Sequence, residues 1–371
     1  MRSESPYSHG DPLKTAVLLV NLGTPKKPTA QEVRPYLRQF LSDPRVVEIP
    51  QFLWRILLNG FILPFRPAKS AAKYQTIWTE HGSPLLVYGQ QLAHSLQARL
   101  NAEQFVVRVE LAMRYGEPSV PNRLNELRAN GFDRILVLPL YPQYAASTTA
   151  SVFDAVCDWF KSVRNVPEFR FVKHYHDHPA YIQALAQHVQ RSWDQLGKPN
   201  FDQGDLFLMS FHGVPEMTLL KGDPYHCECY KTGRLLAQAL GLSQAQYRIT
   251  FQSRFGKAKW LQPYTDQTLK QLGAAGLNRV DVFCPGFLSD CLETLEEMNQ
   301  EGREVFLHAG GKQFNYIQCL NASDLAQTMM FKLCQQHLQG WPVSQSEQQE
   351  VNQQLQRHAV HANQMMKTRP V

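Results

Sequence analysis

Asp205-Leu206-Phe207-Leu208-Met209-Ser210-Phe211-His212-Gly213 is a near-continuous apolar run that ends on an imidazole. Val280-Asp281-Val282-Phe283-Cys284-Pro285-Gly286-Phe287 has the same form and leads into a row of acids, Asp290-Cys291-Leu292-Glu293-Thr294-Leu295-Glu296-Glu297. Runs of this length bounded by turn residues read as strands buried on both faces, the kind found in parallel sheets covered by helices. In open α/β sheets functional groups collect in the crevice beyond the carboxyl ends of the strands. Both segments should therefore deliver their polar residues to one edge of one sheet.

Working outward, similar runs recur at 15–20, 105–111 and 134–140, and again at 170–175, 247–251 and 279–284, with amphipathic stretches such as 179–196 and 235–240 between them. Alternation of this kind predicts an α/β chain of two similar doubly wound, Rossmann-like parallel-sheet domains with a cleft between them. The N-terminal lobe is expected over 13–165 and the C-terminal lobe, with His212 and the acids, over 166–323. A closing helix is expected at 324–338. The segment 339–371 is glutamine-rich and poor in apolar residues, so it is expected to be a mobile tail or a poorly packed helix.

Composition narrows the class. With 371 residues, 43% hydrophobic and 19% charged, the chain fits two globular domains. Met1 to Gly10 carries no apolar run of the secretory kind, so a cytoplasmic protein is expected. Seven cysteines then read as thiols rather than disulfides, and without Cys-x-x-Cys spacing they give no structural zinc site. A net charge of +6 without a long basic block argues against nucleic acid as a partner and leaves room for an anionic small molecule.

The segments after the strands exclude several chemistries. No Gly-x-Gly-x-x-Gly or Walker loop is present, and the first strand runs instead into Asn21-Leu22-Gly23-Thr24-Pro25, which disfavours a dinucleotide enzyme. No Gly-x-Ser-x-Gly elbow supplies a hydrolase nucleophile.

The chemistry left rests on His212, the acids and many aromatics. Drawn as an α-helix, Asp290, Glu293 and Glu297 fall at i, i+3 and i+7 on one face, with Glu296 on its flank. A solvated acidic first turn is the bland account of them. A hydrogen-bonded structural imidazole is the bland account of His212. Against both stands the pairing itself: Gly213 lets another group approach His212 closely, and an imidazole nitrogen with carboxylate oxygens suits a borderline divalent cation such as Fe(II). Tyr141-Pro142-Gln143-Tyr144 and Phe251-Gln252-Ser253-Arg254-Phe255-Gly256-Lys257, then Trp260, add aromatic and cationic walls that suit a flat anionic ligand. His174, His176 and His178 alternate as on one strand face and could bind a metal, although their place before Pro179 favours a plain loop edge. The run 52–65, broken by Arg55, Asn59 and Pro64, reads either as a buried helix or as a greasy lip beside a cleft, able to touch a membrane surface.

Six segments in this order resemble the ferrochelatases, which insert Fe(II) into protoporphyrin IX to make haem. They are Leu19-Val20-Asn21-Leu22-Gly23-Thr24-Pro25, Tyr141-Pro142-Gln143-Tyr144, Ser210-Phe211-His212-Gly213, Gly222-Asp223-Pro224-Tyr225, Phe251-Gln252-Ser253-Arg254-Phe255-Gly256, and Cys284-Pro285-Gly286-Phe287 through Glu293-Thr294-Leu295-Glu296-Glu297. The resemblance extends from about Val17 to about Leu338. It implies a chelatase-like fold, protoporphyrin IX and Fe(II) as substrates, and the terminal step of haem biosynthesis.

By the same resemblance His212 and Glu293 hold the iron and handle the porphyrin protons, and Asp290 and Glu297 form the acidic path behind them. Leu22, Arg45, Arg114, Tyr115, Tyr141 and Trp260 are implied as porphyrin-pocket residues, and 52–65 as the lip over the mouth, giving peripheral membrane contact. No resident cofactor is implied. Some members carry a [2Fe-2S] cluster on a cysteine-bearing C-terminal extension, but here Ala145 and Ala146 follow Tyr144 and no cysteine lies beyond Cys334, so that cluster is expected to be absent. Cys227 and Cys229 are the remaining close pair. Some members also place a second His two residues before the glutamate, where this chain has Cys291. A chelatase for another tetrapyrrole or metal (iron into coproporphyrin, or cobalt or nickel) and a non-catalytic porphyrin carrier are the alternatives.

Overall fold

The chain is described from a computed structural model, which covers residues 10–367 apart from Phe255 and Lys257. The opening residues read for a leader lie largely outside the described residues.

Strands β1 (Lys14–Gly23), β2 (Val107–Tyr115), β3 (Phe132–Pro139) and β4 (Glu168–Phe171) form one four-stranded sheet in the order β2-β1-β3-β4. Strands β5 (Leu206–His212), β6 (Tyr247–Gln252), β7 (Arg279–Phe283) and β8 (Gln313–Ile317) form a second in the order β6-β5-β7-β8. All pairings are parallel. The order is the same in both sheets. In each, the first strand of the lobe lies between its two successors, so β1 and β5 mark the topological switch points where crevices open. His212 ends β5, and Asn21 and Leu22 stand near the end of β1.

The apolar runs become central strands because both faces are covered. Ala16 to Val20 and Phe207 to Met209 are fully buried. Helix Pro179–Leu196 covers the second sheet with Trp193, whose ring meets Phe207 edge-on at 5.5 Å and whose indole N–H donates to Asp281 Oδ2 at 2.9 Å. Helix Asp324–His337 packs against both this helix and Pro84–Ala102 of the first lobe. One buried cluster therefore runs from Leu19 and Leu138 in the first sheet to Phe207 and Met209 in the second.

Two sequence expectations change, and a third resolves to one of its alternatives. The strand expected at 170–175 falls in the second lobe on sequence grounds, yet β4 pairs with β3 through Ile135 opposite Phe169 and completes the first sheet. A β3–helix–β4 crossover through Ser151–Phe160 returns the chain to the sheet that the helix covers, so the lobe boundary falls after β4 and not at 165. Strand β8 lacks a strong apolar signature and is not among the expected strands. Of the two readings of the tail beyond 338 the structure has the helix, over Gln345–Lys367, and the chain before it is packed: Trp341 and Val343 are buried and Val106 N–H donates to the Val343 carbonyl at 2.6 Å. Two large apolar side chains anchor a segment whose average composition is polar.

Candidate active site

Between the lobes lies a cleft of about 2010 Å³ lined by residues of both sheets' carboxyl edges. Ordinary small-molecule pockets are roughly 300–1,000 Å³, so this one admits a large ligand. His212 and Glu293 both line it.

The imidazole is held in a defined state. His212 Nδ1 lies 2.6 Å from the Gly213 carbonyl oxygen, which can only accept, so Nδ1 carries the hydrogen and Nε2 keeps its lone pair in the neutral ring. Tyr225 donates its hydroxyl to the His212 carbonyl at 2.9 Å, and Phe287 packs beside the ring with centroids 6.5 Å apart. Gly213 is required sterically: a Cβ there would stand 2.6 Å from the Gln252 carbonyl oxygen and 3.3 Å from the Trp260 ring. Gly23 has the same duty at the first switch point, where φ is +120° and a Cβ would meet the Tyr115 carbonyl oxygen at 1.8 Å.

The acids arrive differently from the sequence expectation. The segment Glu293–Gly302 is wound as a π-helix, wider than an α-helix, and begins after Leu292. Glu293 and Glu297 both reach the cleft, joined there by Glu296 and Glu301. Asp290 does not. It precedes the helix and is buried, its carboxylate accepting from Tyr316 at 2.7 Å, Asn321 at 2.7 Å and Thr294 at 2.9 Å. The shared face drawn with α-helical period is thus corrected: Asp290 braces the turn before the acids and stands outside the cleft wall.

Glu297 is fixed by the end of β6. Its carboxylate accepts the Ser253 N–H at 2.6 Å, the Ser253 hydroxyl, and Gln252 Nε2 at 3.3 Å. Ser253 takes a left-handed φ of 65° to do so, a local strain of the kind that functional sites retain. Burial raises the Glu297 pKa, against the lowering effect of the Ser253 hydroxyl. Cys291 is buried and hydrogen-bonded to Glu293, and burial first, then the Glu293 charge, push its thiol well above the usual range. It stays a neutral neighbour of Glu293. On the outer side Lys73 reaches Glu296 at 3.0 Å and Glu301 at 2.7 Å.

Of the other expected residues, Leu22, Arg45, Tyr141 and Trp260 line the cleft. Arg45 is held by Asp154 through bonds of 2.7 and 3.2 Å. The Tyr141 hydroxyl is shielded and has no hydrogen-bond partner among the described residues. Arg114 and Tyr115 are corrected: neither faces the cleft. They lie behind its wall, where Arg114 Nη2 and the Tyr115 hydroxyl both donate to Asp43 Oδ2, at 2.6 and 2.8 Å, and Ser151 adds a third bond at 2.6 Å. Asp43 in turn accepts the Arg45 N–H at 2.8 Å, so the pair supports the loop that presents Arg45. Phe255 and Lys257 lie outside the described residues.

Sequence reasoning missed Tyr36 and Tyr74, both at the cleft and within range of the Glu293 charge. Nothing in a lone tyrosine on either segment singles it out, and both are also core residues, buried among Leu37, Leu41 and Trp54.

Comparison with known proteins shows the family. A family model described as Ferrochelatase matches residues 14–338. The chain belongs to the ferrochelatase family.

Curated family relatives are close over nearly full length. A ferrochelatase of Janthinobacterium sp. (strain Marseille) is 58% identical, covering 92% of this chain and 91% of that protein. A ferrochelatase of Herminiimonas arsenicoxydans is 58% identical with the same coverages, 92% and 91%. Among solved structures, SirB from Bacillus subtilis with Fe3+ matches with a TM-score of 0.51 at 12% identity, covering 88% of this chain and 96% of that one. At that identity the likeness concerns the fold: two parallel sheets facing a cleft.

In this ferrochelatase-family chain the lip is exposed. Phe52, Leu53, Ile56, Phe61 and Phe65 project from Gln51–Leu57, the π-turn Leu58–Ile62 and the start of Leu63–Ile77, while Trp54 anchors the same segment inward. Leu220 of the second lobe is exposed and lines the cleft, and Glu48 of the first lobe meets Lys221 of the second at 2.9 Å. Among the described residues no helix is long and apolar enough to cross a membrane.

Proposed function

We infer that this chain inserts ferrous iron into protoporphyrin IX, forming protohaem and releasing two protons, with His212 and Glu293 at the reacting centre. The observation that carries the assignment of residues is that an imidazole with a free Nε2 lone pair and a set of carboxylates line one cleft large enough for a macrocycle.

A free porphyrin is flat and carries two inner N–H protons. Metal entry requires bending the ring, removing both protons and delivering a desolvated cation. Burying roughly 400 Å² of macrocycle at about 25 cal/mol per Å² contributes on the order of 10 kcal/mol before association losses. Ring distortion of about 1–5 kcal/mol is covered by that. Aromatic and apolar walls, among them Leu22, Tyr141, Phe287 and Trp260, supply the contact, and the cationic Arg45, Arg66 and Lys69 along the same cleft suit the porphyrin carboxylates.

His212 Nε2 accepts a pyrrole proton on one face. Glu293 receives the iron at the inner wall and passes protons to Glu297, whose elevated pKa lets it hold a proton more readily than an exposed carboxylate before releasing it outward. Glu296 and Glu301 extend the acidic wall toward solvent, which favours a divalent cation over the substrate's own anionic edge. The exposed apolar lip is the part that meets a lipid surface, giving peripheral contact where the poorly soluble porphyrin resides.

The test is an anaerobic steady-state assay of the full chain with Fe(II) and protoporphyrin IX, followed by the visible spectrum. Conversion to the haem spectrum is expected; stoichiometric binding without turnover would assign the chain as a carrier instead.

A further inference from the structure

Three potential ligands converge outside the cleft. His174 and His176 lie on the connection between β4 and helix Pro179–Leu196, and Glu228 lies on helix Tyr225–Ala239 of the second lobe. One donor atom from each falls within 4.8 Å of the other two, and none of the three lines the cleft. His178, grouped with them by sequence, turns away to cap its helix through the Ala180 N–H at 3.2 Å and to meet Gln336 at 2.9 Å.

The arrangement has an unsatisfied element. Glu228 is buried, with Oε1 2.6 Å from His174 Nδ1 and Oε2 3.3 Å from His176 Nδ1. That second contact is out of line for a hydrogen bond, and the buried His176 Nδ1 has no hydrogen-bond partner among the described residues. Its side chain is only 8% exposed, so water does not readily satisfy it. A ring nitrogen and a carboxylate oxygen held side by side without a hydrogen bond between them are two donors that one cation satisfies together. The carboxylate is already oriented, since Glu228 Oε2 accepts the Tyr144 N–H at 2.7 Å. Fixing of a ligand by a neighbouring N–H is what tuned metal sites use. His174 is 39% exposed, which gives a cation an entry path and leaves room for water as a further ligand.

We propose that His174, His176 and Glu228 form a second divalent-cation site, of the two-imidazole, one-carboxylate type that takes Zn(II) or Co(II). Its ligands join the connection after β4 to the helix of the second lobe, and through Tyr144 they reach the Tyr141–Tyr144 segment that walls the cleft. A bound cation braces the two lobes from outside the reacting centre. Nearby charge is balanced: Asp177 Oδ2 lies 3.9 Å from His176 Nε2 and is itself paired with Lys231.

The test uses tag-free full chain, stripped with chelator, and Zn(II) alone. In a His212→Ala/Glu293→Gln background, which removes the cleft pair, calorimetric titration should find one Zn(II) per chain, and Zn(II) should raise the thermal midpoint. Adding His174→Ala should weaken that binding at least ~10-fold and abolish the midpoint shift, with the fold checked by circular dichroism; His174 is chosen because it is half exposed. Glu228→Gln is the second variant and should act in the same direction. No Zn(II) binding in the background, or binding unchanged by His174→Ala, overturns the proposal.

Discussion

The side-chain amide of Gln252 donates to the backbone carbonyl of Glu293 at 2.8 Å, and Gln252 stands directly opposite His212 in the β5–β6 register. One buried side chain thereby sets the separation between the imidazole and the first acid. Its oxygen is also used, accepting the Ser210 hydroxyl at 2.7 Å. Replacing Gln252 by Ala leaves these groups unpaired in the interior, which costs about 1–3 kcal/mol of stability. Misplacement of the acid turn should lower kcat roughly 10–100-fold while porphyrin affinity stays within a few-fold. Urea unfolding and steady-state kinetics measure the two effects, and an unchanged kcat would separate Gln252 from the geometry of the site.

Among the described residues that line the cleft, the only imidazoles are those of His212 and His308, and His212→Ala removes the one at the end of β5. Insertion should fall by about 10²–10⁴-fold, the range of a lost general base. Porphyrin binding, read from quenching of its fluorescence, should persist. Normal turnover in this variant would refute the role.

Glu297 has a raised pKa in the folded chain, chiefly through burial, from an ordinary value of 4.5. A carboxyl raised on folding binds its proton more tightly in the native state, so its contribution to stability is complete below pH 4.5 and is lost as pH rises through the folded value. In metal-free protein, the stability difference between Glu297→Gln and the parent should therefore shift in favour of the variant as pH rises over that window. Equal pH slopes for the two proteins would show that the native carboxyl titrates normally.

Asp43 shows the opposite sign. Burial alone would raise its pKa, but the Ser151 and Tyr115 hydroxyls, the Arg45 N–H and the Arg114 charge outweigh burial and hold it below 3.8. Its stabilisation is present above pH 3.8 and lost as pH falls through the lower folded value. Asp43→Ala removes the acceptor shared by Arg114, Tyr115 and Ser151 and should cost about 1–3 kcal/mol in chemical unfolding at pH 7. Because Asp43 also carries the Arg45 loop, KM for porphyrin should rise.

Phe52 and Phe61 are 76% and 65% exposed, so Phe52→Ser and Phe61→Ser should alter stability by no more than about 0.5 kcal/mol each. Co-sedimentation with phospholipid vesicles should drop when both are changed. Retained co-sedimentation would place the lipid contact elsewhere.

Sequence patterning read the central strands well because burial on both faces leaves a nearly unbroken apolar run, as in 205–211. It also located His212, Glu293 and Glu297 at the correct sheet edge, since strand ends are marked by Gly213 and by Cys284-Pro285-Gly286. Edge strand β8 is short and half covered, so its residues carry little of that signal, while β4 showed as a run at 170–175 but without a mark of which sheet it joins. The face of Asp290 was misjudged because period arguments assume α-winding from the first acid, while the wider turn starts only at Glu293. Glu301 and Lys73 were invisible for another reason: their meeting depends on a contact between lobes some 228 positions apart in sequence. Arg114 and Tyr115 were placed one layer too far forward, because a short motif after a strand does not reveal whether a side chain lines a wall or props it.

The shared interior beneath the two sheets has a mechanical consequence. With Asp324–His337 wedged against helices of both halves, the walls cannot swing apart like jaws without breaking the protein's main core. Loading and unloading then run sideways past the rim, where the Glu48–Lys221 ion pair and the exposed apolar residues lie outside that core. Passage through the rim, rather than an opening of the whole molecule, is the route that this shared interior leaves to a ligand.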